Sequence, residues 1–269
     1  MMNVSSFVPA GEPWQNGVRL VLVISLNVVN YTLGLSLQSS IIRLVSNRRR
    51  RLEPCDVLIL NQAAAEIFFM LLGPFHILLS VRNERWFYQP MGLILGTGMA
   101  VRSGLQCCTC LERYVAVVHP ITFRKFRPLR YRVGLCMMVW VAGTLTGVIC
   151  MMKFPDIPYQ AFGVIYSIIM SINVFSCVSI LKRLRLPGPG EGNAARLVED
   201  SVKKRAFQVV LVNMLLFLVQ NTPLAVLFAM VHTLPSPVFK LSTYFCLIVN
   251  LGGGWVQALF IIQKFQNQN

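Results

Sequence analysis

Apolar stretches of about 20 residues or more recur along this chain, and each is long enough to cross a bilayer. Seven can be drawn, at residues 17–43, 55–81, 88–117, 131–152, 159–183, 201–232 and 236–262. The chain is 55% hydrophobic and 13% charged, against about 25% charge in soluble domains. The links are too short to hold a soluble domain. The expected fold is an all-α membrane protein, a seven-transmembrane-helix bundle. Residues 1–16 form an outer tail and residues 263–269 a short inner one. The first stretch is too long, and its outer flank too weakly basic, for a cleaved signal peptide, so it reads as a signal anchor. No internal repeat is visible, which disfavours an inverted-repeat transporter.

The net charge of +15 would suit a nucleic-acid binder, but its distribution argues for a membrane instead. Of the 25 Lys and Arg residues, 19 lie in or beside one set of alternating links and the inner tail. Arg48, Arg49, Arg50 and Arg51 fill the first link. Arg124, Lys125, Arg127 and Arg130 fill the third, with Arg132 just beyond. Lys182, Arg183, Arg185, Lys203, Lys204 and Arg205 flank the fifth. Basic links mark the cytoplasmic side, so the N-terminus is expected outside and the C-terminus in the cytoplasm. Asn3-Val4-Ser5 is then a candidate glycosylation acceptor, the alternative being an unused sequon. The eight cysteines lie within the apolar stretches or at their ends. They read as packing residues rather than a disulfide framework.

Arg102 sits midway along the third stretch. A cation at that depth costs roughly 2.5–3.5 kcal/mol even on the lenient insertion scale, so it should face inward and be paired. Glu66, midway along the second stretch, is the acid placed to meet it.

The third stretch ends in Leu111-Glu112-Arg113-Tyr114-Val115-Ala116-Val117-Val118-His119-Pro120. This run resembles the third-helix ending of the rhodopsin-like (class A) G-protein-coupled receptors. The likeness extends along nearly the whole chain. Trp140 is similar to the family's fourth-helix tryptophan, and Asn61-Gln62-Ala63-Ala64-Ala65-Glu66 to its second-helix motif ending in an acid. Gly73-Pro74-Phe75 resembles the Pro-Phe of the peptide- and nucleotide-receptor branches. Pro223, with Phe217 six residues earlier, resembles the sixth-helix hinge. The departures are also specific. Gln38 stands at the first-helix asparagine, and Gln220 and Asn221 at the sixth-helix cysteine and toggle tryptophan. Ile169 and Cys177 replace the fifth-helix proline and tyrosine. Gly254-Trp255-Val256-Gln257-Ala258 stands where Asn-Pro-x-x-Tyr would. Tyr88 occupies the outer disulfide position, and the second outer loop has no cysteine.

The resemblance implies roles. In the family the second-helix acid holds a sodium ion with a third-helix hydroxyl, and Arg102 aligns with that hydroxyl. The guanidinium is therefore expected to replace the ion and pair bidentately with Glu66, with Asn250 adding a hydrogen bond. Arg113 would pair with Glu112 at rest and reach a heterotrimeric G protein on opening, and a snorkelling arginine is the alternative. Pro120 and Ile121 would help to dock that partner. The acid that normally restrains the arginine is Lys203 here, so the resting state should be weakly held unless Asp200 substitutes. Phe217, Asn221 and Pro223 would form the activation hinge. Gly252, Gly253 and Gly254 supply either flexibility or close packing.

Leu95 stands where an amine receptor needs an aspartate, and Ile248 where a retinal protein needs a lysine. Both classes are disfavoured. Arg82, Arg85, Lys153, His232 and Lys240 form a basic outer rim that suits an anionic lipid, nucleotide or acidic peptide, or are simply solvated loop ends. His76, His119 and His232 lack metal-ligand spacing, and no catalytic constellation, cofactor motif or nucleic-acid site is present. The expected function is a plasma-membrane receptor that passes an outside signal to a G protein. The alternatives are a non-signalling heteromer partner or decoy, and a product retained in the endoplasmic reticulum.

Overall fold

The computed structural model describes residues 27–47, 54–82, 85–125, 128–153, 159–185, 214–231 and 233–266, with residues 21, 24, 25, 211 and 212 besides. Asn3 and residues 186–210, Asp200 and Lys203 among them, lie outside them, as do the side chains of Arg82, Arg85, His232 and Lys240. Among the described residues the regular structure is helical. A π-turn, Asn30–Gly34, leads into α1, Leu35–Ser46. Then come α2, Pro54–Met70, and α3, Leu72–Arg82. A short 3-10 turn precedes α4, Tyr88–Val118, and α5, Pro120–Lys125, follows it. Next are α6, Leu129–Lys153, α7, Tyr159–Arg185, and α8, Met214–Ala229. The last is α9, Ser236–Gln266.

Each of the seven apolar stretches contains a described helix. Three described segments, Asp56–Phe75, Leu129–Lys153 and Gln160–Arg183, are both long enough and apolar enough to cross a membrane, with mean hydropathies of 1.6, 2.0 and 2.1. Helix α8 is apolar but shorter. At 31 residues, α4 reaches about 46 Å at 1.5 Å per residue. Its mean hydropathy is lowered by Thr97, Arg102, Ser103 and Gln106, all of which are buried. The polarity that weakens α4 as an apolar segment therefore faces the protein, as intramembrane polar groups must.

Two prolines shape the backbone visibly. The ring of Pro74 would clash with the carbonyl four residues earlier, and proline offers no N–H to bond it. That carbonyl belongs to Met70, where α2 ends and the chain turns at Leu71. The Tyr31 hydroxyl donates to the freed Met70 oxygen at 2.8 Å, which removes the cost of a bare carbonyl in an apolar setting. Pro120 pushes its predecessor out of the helical region. His119 has φ −126° and ψ 64°, so α4 stops at Val118 and α5 begins at Pro120, the first helical position where proline is tolerated.

Small residues set the tightest helix pair. Gly92 and Gly96 on α4 and Gly143 and Gly147 on α6 are each spaced by four. A methyl on Gly92 would come within 2.9 Å of the Cys150 carbonyl oxygen, and one on Gly147 within 2.7 Å of the Leu93 oxygen. Without Cβ atoms the two backbones approach closely, the packing that small-residue pairs permit in membranes. At the other side of the bundle, Trp255 of α9 donates from Nε1 to Asn30 Oδ1 at 3.2 Å, tying α9 to the π-turn. Phe69, Met99, Phe162, Tyr166, Leu224 and Phe228 fill an apolar cluster between the helices.

Candidate functional site

Glu66 on α2, Arg102 on α4 and Asn250 on α9 meet at the centre of the bundle, as the sequence suggests. Glu66 is 4% exposed and Arg102 5% exposed. Arg102 Nε donates to Glu66 Oε1 at 2.8 Å. Its Nη1 donates to Asn250 Oδ1, and its Nη2 to the Asn250 carbonyl oxygen at 3.4 Å. The pair thus differs from the two-pronged arrangement expected, because the terminal nitrogens are turned toward α9. The guanidinium carbon lies 4.6 Å from the centre of the Phe69 ring, a favourable site for a cation. Gln62 also donates to Glu66 Oε1, at 3.4 Å. The positive group engages Oε1 alone of the Glu66 carboxylate.

An amide layer, absent from the sequence reading, lies one turn further along α4. Gln106 Nε2 donates to Gln220 Oε1 at 2.8 Å and to Gln257 Oε1 at 3.0 Å. Asn221 Nδ2 donates to the Phe217 carbonyl at 2.9 Å and to Gln106 Oε1 at 3.4 Å. Asn250 Nδ2 reaches the Gln220 carbonyl at 3.3 Å, which joins the two layers. The signal available in the sequence was spacing. Gln106 follows Arg102 by four residues, and Gln257 follows Asn250 by seven, so each extends a buried face. Phe217 and Asn221 are buried here and Pro223 half-buried. A methyl on Gly253 would meet the Gln220 side chain, its Cδ at 2.7 Å, and one on Gly254 would lie 3.1 Å from Glu66 Oε2. Two of the three consecutive glycines are therefore packing positions. The third, Gly252, faces open space.

At the other end of α4 the expected pairing is not the one found. Glu112 accepts from Arg132 of α6, from Nε at 3.0 Å and also from Nη2. Arg132 is buried, and its guanidinium carbon stands 5.5 Å from the Phe123 ring of α5. Arg113 is half-buried, and among the described residues no hydrogen bond or ion pair engages it. Glu112 prefers Arg132 for a geometric reason. Arg132 is within reach of the acid because α6 packs directly against α4. Tyr114 lies 3.4 Å through its hydroxyl from His119 Nε2, with the rings edge to face. Pro120 is exposed and Ile121 is 78% exposed on α5. The basic residues Arg124, Lys125 and Arg130 are exposed beside it.

Residues 39–157 match the family model described as 7 transmembrane receptor (rhodopsin family). Among curated proteins, G-protein coupled receptor 68 of Homo sapiens is 29% identical over 101 residues, 36% of this chain and 28% of that protein. Somatostatin receptor type 5 of Rattus norvegicus is 33% identical over 148 residues, 52% of this chain and 39% of the relative. A type-8 purinoceptor of Gallus gallus is 24% identical over 139 residues, 50% of this chain and 36% of the relative. Each of these alignments covers less than half of the relative's own length.

Proposed function

We propose, from the premise that this chain is a divergent rhodopsin-like receptor with peptide- and nucleotide-receptor relatives, that it couples an outside ligand to a heterotrimeric G protein. In this reading it is a seven-helix bundle in the plasma membrane, with its N-terminus outside and its C-terminus in the cytoplasm. Arg113 and Tyr114 form the coupling end, Glu112 is the acid able to restrain Arg113, and Pro120 and Ile121 form the docking step on the short helix that follows. The observation that carries the reading is Arg113. It lies at the end of α4 opposite Tyr88, without an ion pair among the described residues, and the short helix that follows, α5, leaves an apolar side chain bare. Among the described residues, nothing has to release that cation before a partner engages it.

Arg102 precedes Arg113 by eleven residues, about 16 Å along the helix. The depth suits a division of labour, with a structural charge at the centre and a working one at the rim. The ligand belongs outside, where Lys153 is exposed and the sequence places other basic residues. An anionic or peptidic ligand fits that charge. A second reading, a silent interaction partner, is favoured by Asn221. It stands at the toggle position and is bonded to Gln106, so the polar core resembles a fixed brace more than a switch.

The test is G-protein activation in cells expressing the chain, against Arg113→Ala at matched surface level. Activation that Arg113→Ala abolishes supports the receptor reading. Surface protein whose activation, with or without outside anionic and peptide candidates, is indifferent to Arg113 supports the silent partner.

A further inference from the structure

Glu112 and Arg113 are neighbours in sequence, yet the acid is committed elsewhere. We infer that Arg132 is a positioning residue that holds Glu112 away from Arg113 and so keeps Arg113 available. The consequence for signalling rests on the coupling reading above; the geometry does not.

Three observations meet at Arg132. It is buried at the start of α6, where a cation has to be compensated. Two of its nitrogens donate to one oxygen of Glu112, a charge-assisted contact from Nε and Nη2. Its guanidinium carbon lies over the Phe123 ring on α5, the short helix that also carries Ile121. One side chain therefore links α4, α5 and α6. It does two things at once: it neutralises the acid beside Arg113, and it seats the helix that presents the exposed isoleucine. A lysine would supply the charge but not the planar fork that reaches both the carboxylate and the ring.

Loss of Arg132 leaves Glu112 half-buried, with Arg113 the cation next to it in sequence. The rim arginine would then be drawn into a pair and withdrawn from any partner. Arg132→Gln is therefore expected to lower G-protein activation by about threefold, the scale of one partly exposed ion pair. Removing the freed acid as well, in Arg132→Gln with Glu112→Gln, should restore most of it. A merely structural arginine behaves differently, because the double variant would then stay at least as low as Arg132→Gln alone. That outcome would overturn the inference.

A second readout does not depend on any G protein. Thermal unfolding of the purified full chain in detergent gives a double-variant cycle between Glu112→Gln and Arg113→Ala. The cycle should show no coupling with Arg132 present, and clear coupling in the Arg132→Gln background. Coupling in both backgrounds, or in neither, contradicts the inference. If the wild-type chain shows no Arg113-dependent activation, the receptor reading fails, while this cycle still decides whether Arg132 parts the two side chains.

Discussion

Arg102 and Glu66, at the centre of the bundle, are paired with each other and enclosed by Asn250, Gln62 and the Phe69 ring. Arg113 and Glu112, at the end of the same helix, are side by side in sequence but parted in space, because Arg132 takes the acid. The difference shows how burial decides what an arginine–acid combination is for. In the interior an unmatched charge is prohibitive, so each guanidinium nitrogen of Arg102 is directed at a partner. At the rim, water lowers the penalty, so a cation can stand without an ion pair among the described residues.

The largest effect should come from breaking the centre. Glu66→Ala leaves a buried guanidinium without its counter-charge and should cost about 3–5 kcal/mol. Surface labelling and the thermal midpoint in detergent should both drop sharply. Exchanging the two residues, Glu66→Arg with Arg102→Glu, should recover part of the loss. No recovery would mean that the surrounding amides, rather than the charge pair, fix the centre.

The glycines sharpen the same contrast between filled and open places. Gly147→Ala puts a methyl against the α4 backbone and should cost about 1–3 kcal/mol. Gly254→Ala presses on the Glu66 carboxylate and should cost less, since a methyl there meets its nearest atom at 3.1 Å. Gly252→Ala meets nothing and should be neutral or stabilising by up to about 1 kcal/mol. Thermal midpoints of the three variants should fall in that order, and equal effects would show that helix flexibility rather than packing governs α9.

A smaller effect is expected at the kink. Tyr31→Phe deprives the Met70 carbonyl of its donor, and intramembrane hydrogen bonds of this kind contribute roughly 0.6–2 kcal/mol. An unchanged midpoint would mean that the carbonyl finds another partner.

The helices and the central charge pair were legible because each depends on local spacing or on a depth rule. Apolar runs mark spans, and a lone arginine at mid-depth demands an acid at a similar depth. The meeting of Asn250 with that pair was available only through family resemblance, since 148 residues separate it from Arg102. The amide layer was not read because glutamine is polar without being costly enough to force an inference. Gln106, Gln220 and Gln257 look unremarkable until three helices bring them together. The Glu112–Arg132 pair was missed because Arg132 was read as one more cytoplasmic charge. Only the packing of α4 against α6, which runs through Leu105, Cys108 and Cys136, brings the two elements near enough to make it a partner.

The measurement that tests the central contrast most directly is the thermal midpoint of the purified protein in sodium chloride and in choline chloride at equal ionic strength. With the Glu66 carboxylate neutralised by Arg102, the two midpoints should coincide. A higher midpoint in sodium alone would show that Glu66 is free to hold a cation, and would contradict the paired centre.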